Sequence, residues 1–542
     1  MGKISLAFFL FCSLCARAQF TFRIIFSGKE QCVESEAKTF LSDQALERRQ
    51  KAGVSWDFRD CPVTARYLDT LALFPLTQKA ISRWLNTVVY ETEDTSLFPA
   101  LRALPFVRQL DLISVSFQNE MRSFSWKDFP VLDQSLSGFS FYGSSYSAAY
   151  LHNGDLLHRE GFTGQGMRIA VFDNGFPWID QIPMFSHLQN QGRIISTYDF
   201  VKDTPDVSLS GSHGTYVLSC LAAYEPGKIV GSAPDADFML FVTEDDASET
   251  LAEEYHWAEA AEWAEAQGAD IFSTSLGYTT FDNGLMNHTY ADMDGNTTPI
   301  TQAANIAASK GVLVFNSAGN EGNKPWFYIS APADGSQVIA VGAVDSSGNI
   351  ASFSGNGPNA SGQVKPDICA QGVQNTVTDL GQHVIRLNGT SFSCPVISGL
   401  SACLWQSFPD SSSFSIREML LRYAHRFSNP DTRYGYGIPN LYNALLQERS
   451  DLSLSALPGG VVKSPPTLVS SHIPLLFFQS KTQEYNLKLY DLSGRIVYRD
   501  RFLLRAGTFE DIQLDVSEVG ARGMYILEVN GTERQIFRCI LQ

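Results

Sequence analysis

The chain has 542 residues, which is too long for a single compact core, and so we expect several domains. Its composition, with 44% hydrophobic and 18% charged residues, is that of a folded protein. Lys and Arg total 40 against 57 Asp and Glu, a formal net charge of −17. Because the sequence also has no extended basic stripe, it argues against a nucleic-acid partner.

The first 18 residues have the pattern of a cleavable secretory signal. Lys3 is followed by a short apolar run and then by Ala16-Arg17-Ala18, which predicts cleavage before Gln19. The apolar run is too short to span a bilayer, and no later stretch has the length and apolarity of a membrane helix. The sequence therefore predicts an exported protein, secreted or at the cell surface, without a transmembrane helix.

Residues 19–140 predict a small α+β domain. The strand-like "FTFRIIF" is followed by the helix-like "EAKTFLSDQALERRQKAG", and "LRALPFVRQLDLISVSF" later changes from helix to strand. The charged run "ERRQK" at residues 47–51 favours the solvated end of a helix over a nucleic-acid contact.

Residues 141–449 alternate between β-rich runs and helix-like stretches. Runs such as "MRIAVFD" and "ADFMLFV" are separated by stretches such as "LAEEYHWAEAAEWAEAQG". This alternation predicts an α/β domain with a doubly wound, mainly parallel sheet covered on both faces. Functional sites in such sheets lie beyond the carboxyl ends of the strands.

The remaining residues predict a linker and a small all-β domain. Residues 450–466 are rich in Ser, Pro and Gly, as linkers are. Residues 467–542 predict a β-sandwich-like domain, in which "YNLKLYDLSGRIVYRD" forms strand, turn and strand. Asn530-Gly531 predicts a hairpin turn between two further strands.

The cysteines favour buried thiols with room for one disulfide. Loss of the signal, with Cys12 and Cys15, reduces the nine cysteines to seven, and an odd number leaves at least one thiol outside any intramolecular disulfide. Cys394 and Cys403 are expected on one helix, about half a turn out of phase, and so cannot bond to each other. Among those seven, no Cys-x-x-Cys pair or Cys/His cluster indicates zinc.

Four polar residues stand where predicted strands end or predicted helices begin. Asp173 ends "MRIAVFD", His213 opens the helix of "SHGTYVLSC", Asn320 follows a strand in "FNSAGNEG", and Ser391 opens a helix in "NGTSFSCPVISG". Alone, each has a plainer explanation: a turn, a structural histidine, a loop and a helix cap.

Together these residues supply the parts of an activated nucleophile. A serine needs a neutral imidazole to take its proton, and the imidazole needs a carboxylate to hold one tautomer. The amide of Asn320 and the backbone N–H of Ser391 can then donate to the oxyanion of a tetrahedral intermediate. The combination favours a nucleophilic Ser391 over a capping one.

In this order the four residues resemble the subtilisin-like serine peptidases, or subtilases. The resemblance implies a triad of Asp173, His213 and Ser391, with Asn320 as the oxyanion donor and no required cofactor. Asn174 departs from the family pattern, in which Ser or Thr usually follows the aspartate. That departure puts the shape of the cleft in question, while every catalytic group is present.

The segment "STSLG" resembles the strand with which subtilases pair extended substrates. The resemblance implies that Ser275, Leu276 and Gly277 line the cleft. It also implies that the enzyme acts on protein or peptide substrates.

The two segments that flank the predicted peptidase domain resemble accessory domains found in bacteria of the Bacteroidetes group. Residues 19–140 resemble the amino-terminal pro-regions of Bacteroidetes subtilases. This implies a propeptide that inhibits its own enzyme and is cut off near residues 135–142. Residues 467–542 resemble the carboxy-terminal sorting domains of the type nine secretion route, which implies the export machinery as a partner.

A structural calcium ion is the one metal that the sequence raises. "YADMDGN" places Asp292, Asp294 and Asn296 at alternate positions, as calcium loops do. The closing glutamate of a twelve-residue calcium hand is missing, so a plain polar loop is the favoured interpretation and calcium the alternative.

The sequence thus predicts a secreted serine endopeptidase, made as a zymogen, that acts through an acyl-enzyme. Two alternatives remain open. The acid-acting sedolisin type replaces the histidine with glutamate, and His213 argues against it. An inactive subtilase-fold surface protein that binds a partner is disfavoured because all four catalytic positions are filled.

Overall fold

The computed structural model describes residues 18–30, 32–117 and 141–448, and residues 460–541 with short gaps. Most of the predicted signal segment and of the predicted cleavage region lies outside these ranges. In the described part of the chain, no helix has both the length and the apolarity to cross a membrane.

The strands are β1 (Ala18–Phe26), β2 (Thr77–Ser82), β3 (Thr87–Thr92), β4 (Val107–Phe117), β5 (Arg168–Asp173), β6 (Ile194–Asp199), β7 (Tyr224–Glu225), β8 (Ile229–Val230), β9 (Asp237–Val242), β10 (Ile271–Thr274), β11 (Leu313–Ser317), β12 (Ile339–Val344), β13 (Ile368–Gln371), β14 (Asn375–Thr378), β15 (Val384–Leu387), β16 (Gly460–Lys463), β17 (Leu468–Val469), β18 (His472–Gln479), β19 (Gln483–Tyr490), β20 (Ile496–Leu504), β21 (Thr508–Asp515), β22 (Gly523–Asn530) and β23 (Arg534–Leu541). The α-helices are α1 (Glu34–Lys38), α2 (Asp43–Lys51), α3 (Ala65–Leu71), α4 (Phe98–Arg102), α5 (Tyr146–Tyr150), α6 (Gly154–Arg159), α7 (Ser186–Gln191), α8 (His213–Ala222), α9 (Ala252–Ala266), α10 (Pro299–Ser309), α11 (Thr390–Gln406), α12 (Ser413–Arg422) and α13 (Leu441–Glu448).

The amino-terminal domain is built on an antiparallel sheet in the order β2-β3-β1-β4. Successive side chains of a strand point to opposite faces, and in β1 Phe22, Ile24 and Phe26 are all buried on one face. They share a core with Leu71 of α3 and Leu101 of α4. The predicted α+β domain is confirmed.

The central domain contains a seven-stranded parallel sheet in the order β13-β12-β11-β10-β5-β9-β6. Helices α9 and α10 pack on one face with the apolar side chains of β5 and β10, and α8 and α11 also contact the sheet. From β5 the chain first builds β6 and β9 on one side and then crosses to β10 on the other. Ligands bind at such a switch point, so the end of β5 is where a site is expected.

The carboxy-terminal unit consists of two sheets, in the orders β16-β18-β21 and β17-β23-β22-β19-β20. Alternate residues of β19, namely Tyr485, Leu487 and Leu489, are buried and share a core with Ile473 of β18 in the other sheet. Two sheets around one core make the predicted all-β domain. Strand β16 lies inside the segment predicted as a linker and pairs with β18.

One disulfide is present among the described residues, between Cys32 and Cys61 of the amino-terminal domain. Cys394 and Cys403 share α11, as the sequence predicts. The buried free thiols belong to Cys220, Cys369, Cys394, Cys403 and Cys539.

The charged run at residues 47–51 is not the solvated helix end that the sequence predicts. It does end a helix, α2, but Arg48 and Arg49 are only 4% and 5% exposed. Both guanidiniums bind the carboxylate of Glu265 at the end of α9, which is fully buried. The prediction was wrong because the anionic partner lies 217 residues further along the chain and leaves no local signal.

Candidate active site

Asp173 and His213 meet at the carboxyl end of the sheet. Asp173 ends β5, His213 begins α8, and Nδ1 of the imidazole lies 2.8 Å from Oδ1 of the carboxylate. Burial disfavours the charged ring, but the charge and hydrogen bond of Asp173, together with the charge of Asp246, outweigh it and raise the pKa of His213 above its ordinary value. The contact fixes the tautomer with the proton on Nδ1, which leaves Nε2 to accept a proton.

Ser391 is the second residue of α11, and it does not cap that helix. The cap position is Gly389, and no side chain makes a capping hydrogen bond there. The Ser391 hydroxyl instead donates to the carbonyl oxygen of Ser275 at 3.3 Å, while Oγ of Ser275 donates to the Ser391 carbonyl at 2.9 Å. The catalytic contact of the Ser391 hydroxyl with His213 stays a prediction.

The amide of Asn320 is oriented by Thr390, a residue to which the sequence analysis gave no role. Oδ1 of Asn320 accepts the backbone N–H of Thr390 at 2.9 Å and its hydroxyl at 3.0 Å. Because both bonds engage the oxygen, the NH₂ end of the amide is left to donate beside Ser391. The only sequence signal for Thr390 was its position directly before the serine.

The three predicted cleft residues follow β10, next to the nucleophile. Ser275 exchanges hydrogen bonds with Ser391, and the Leu276 carbonyl accepts from Nδ2 of Asn316 at 3.0 Å. Gly277 is exposed. The structure thus puts Ser275 in contact with the nucleophile, and the substrate-binding role of the three residues stays a prediction.

The three predicted calcium ligands make local turn contacts. Asp294 Oδ1 accepts the backbone N–H groups of Asn296 and Thr297, each at 2.8 Å. Asp292 Oδ2 accepts the N–H and the hydroxyl of Thr289. Within the described ranges, no group of three His, Cys, Asp or Glu residues is arranged to hold a metal. These are the contacts of a polar loop, and a structural calcium ion stays an untested prediction.

The amino-terminal domain packs on the central domain along α9. Glu262 accepts the backbone N–H groups of Arg83 and Trp84 at 3.0 and 2.9 Å. Glu259 accepts the N–H of Ile81, and burial raises the pKa of Glu259 to about 8. The carboxylates on this face of α9 thus satisfy the backbone donors that follow β2 or lie near its end.

Comparison with known proteins identifies the family. The description "Subtilase family" matches residues 164–437, which include all four candidate catalytic residues. The chain belongs to the subtilase family. It is a subtilisin-like serine peptidase. Two further matches flank the peptidase domain of this subtilase: the Peptidase S8 propeptide domain of Bacteroidota at residues 21–127 and the secretion system C-terminal sorting domain at residues 472–541.

Two curated relatives align with about half of this subtilase. A thermophilic serine proteinase of Bacillus sp. (strain AK1) is 32% identical over 283 residues, which are 52% of this chain and 62% of the relative. The serine protease AprX of Bacillus subtilis (strain 168) is 28% identical over 335 residues, which are 56% and 70% of the two chains.

A solved structure shares the fold. The epidermin leader peptide processing serine protease of Staphylococcus aureus aligns with a TM-score of 0.54 and 16% identity, over 80% of this chain and all of that one. The family match, the propeptide domain and the sorting domain together describe an exported serine peptidase with the organisation of a zymogen.

Proposed function

We propose that this subtilase is an endopeptidase that cleaves protein or peptide substrates through an acyl-enzyme on Ser391. The observation that supports this proposal is the presence of two hydrogen-bonded pairs. Asp173 holds His213 at 2.8 Å, and Thr390, directly before Ser391, holds Asn320 at 2.9 Å. In this proposal the first pair supplies the base, and the second supplies an oxyanion donor, for the hydroxyl of Ser391.

The reaction follows from this arrangement. His213 Nε2 takes the proton of the Ser391 hydroxyl as Oγ attacks the substrate carbonyl carbon. The oxyanion accepts from the amide of Asn320 and from the Ser391 N–H, which has no partner within α11 because it lies in the first turn. The imidazolium then protonates the departing amine, which leaves an ester on Ser391. Water hydrolyses the ester by the same proton route in reverse and releases the acid.

Residues 19–140 act as a propeptide that inhibits the peptidase domain of residues 141–449 until it is cut off near residues 135–142. In support, Glu259, Glu262 and Glu265 of α9 all bind the amino-terminal domain. Residues 450–466 form the linker, within which β16 begins. Residues 467–542 deliver the protein to its export machinery after the signal of residues 1–18 is removed.

The test is covalent labelling of residues 19–542 with a serine-directed phosphonate, with Ser391→Ala as the control. We expect labelling of the wild type alone, together with a fall in intact mass that matches loss of residues up to about 140. If the wild type stays unlabelled after an added protease has removed the propeptide, Ser391 is not an activated nucleophile. The surface-binding alternative would then replace this proposal.

A further inference from the structure

Asn174, the departure from the family pattern, links three segments of the active site. Its backbone N–H donates to Asp173 Oδ1 at 2.9 Å. Its side-chain oxygen accepts the backbone N–H of His213 at 3.0 Å, and its Nδ2 donates to Oδ1 of Asp246 at 2.8 Å. One side chain therefore ties the end of β5 to the start of α8 and to the loop that follows β9.

The contact with His213 does the work of a helix cap. The first N–H groups of a helix have no partner inside it, and Ser212, at the cap position of α8, makes no side-chain capping bond. Asn174 supplies that acceptor from another segment. Because the donor is the backbone N–H of His213 itself, the bond helps to fix the position of the backbone that carries the imidazole.

Asn174 and Asp246 are packed closely against the backbone of Gly211. A Cβ at Gly211 would lie 2.2 Å from Asn174 Nδ2 and 2.3 Å from Asp246 Oδ2. The Gly211 N–H donates to the Asn174 carbonyl at 3.0 Å. A side chain at residue 211 would therefore separate the two residues, and this glycine permits their contact.

We propose that Asn174 and Asp246 are a positioning pair for the catalytic histidine, in which Asn174 anchors the His213 backbone and Asp246 supplies a second negative charge to the ring. Among the described residues, the charged groups that act on His213 are Asp173 and Asp246, and the neighbouring ring of Phe392 carries no charge. Asp246 itself faces Asn174, Asp173, Asp245 and His213. The charge of Asp246 adds to that of Asp173 in holding the pKa of His213 above its ordinary value.

The test is the acid limb of kcat/KM against pH for the matured enzyme, measured with an uncharged peptide substrate at low salt. This inference rests on the proposed function. Asp246→Asn moves the acid limb to lower pH. When kcat/KM of each enzyme is divided by its own plateau value, the variant is about twofold more active than wild type at about pH 5.5. Asp206→Asn removes the charge of an exposed carboxylate that acts on neither His213 nor Asp246, and it leaves the limb in place. The shift of Asp246→Asn shrinks with added salt.

Variants of Asn174 test the anchoring role. Asn174→Ala lowers kcat at the plateau with little change of KM, and Asn174→Ser, which keeps an acceptor near the His213 N–H, recovers most of the loss. A limb for Asp246→Asn that coincides with wild type would overturn the proposal. So would an effect of Asp246→Asn confined to KM for lysine-containing substrates, since Asp246 would then contact substrate instead.

A readout without catalysis separates this proposal from the proposed function. In the Ser391→Ala protein, the low-field proton resonance between His213 and Asp173, identified by its loss in His213→Ala, reports protonation of the ring. We expect Asp246→Asn to lower the titration midpoint of this resonance even if no substrate is ever cleaved. An unchanged midpoint would contradict the positioning pair alone.

Discussion

Substitution of Glu265 by Gln tests what holds the propeptide on the peptidase domain. Glu265 is fully buried and accepts from both guanidiniums, with Arg49 Nε and Nη2 each at 2.8 Å and Arg48 in contact with Oε1. Burial alone would raise its pKa, but the charges of Arg48 and Arg49 hold the pKa of Glu265 below its ordinary value. The carboxylate is therefore ionised at neutral pH.

The magnitude follows from the charges left behind. Asp60 is already shared by Arg49 and Lys310, so it cannot replace the lost carboxylate. Breaking a buried ion pair by removing one partner costs about 3–5 kcal/mol, because the other charge stays buried without compensation. At about 1.4 kcal/mol per tenfold change, the docked helix α2 should open roughly 10²- to 4 × 10³-fold more often.

Hydrogen–deuterium exchange of α2 and β2 amides measures this opening in the full-length Ser391→Ala precursor. Glu47→Gln is the matched control, because Glu47 lies on the same helix and forms an exposed pair with Lys51. Exchange in Glu265→Gln that is no faster than in Glu47→Gln would refute the reasoning. Since the pKa of Glu265 is lowered, its contribution to the stability of the docked helix is present above the ordinary glutamate pKa and is lost in acid. The exchange rates of Glu265→Gln and Glu47→Gln should therefore converge at acid pH.

Three further predictions concern the propeptide and the oxyanion site. Burial raises the pKa of Glu259 to about 8, so protection of the β2 amides against exchange should weaken as the pH rises from about 5 through about 8. Glu259→Gln should abolish that pH dependence, and an unchanged dependence would count against the role of Glu259. Asn320→Ala should lower kcat about 10²- to 10³-fold with little change of KM, whereas a loss in KM alone would contradict its oxyanion role. The Cys32–Cys61 bond closes a loop with a sequence separation of 29, so replacing both cysteines by Ser should cost the propeptide domain about 3–4 kcal/mol in denaturant unfolding, and an identical midpoint would refute this.

The sequence by itself predicted the elements and the chemistry. The α/β alternation of residues 141–449 follows from local periodicity, because a strand buried on both faces reads as a continuous apolar run. The polar residues that end β5 or open α8 and α11 are visible because a strand or helix boundary has a local signature. Parallel strands gather such ends at one edge, so the order of Asp173, His213, Asn320 and Ser391 indicated one site.

Tertiary structure alone decided how that site is held and how the amino-terminal domain packs on the central domain. The bonds of Thr390 to Asn320 and of Asn174 to Asp246 join residues 70 and 72 positions apart. The bond of Arg48 to Glu265 spans 217 positions. Side chains that complete one another over such separations leave no periodicity, and their roles arise only when the sheet order brings the segments together. A buried arginine therefore looks in sequence like a solvated one, and a positioning asparagine looks like a turn.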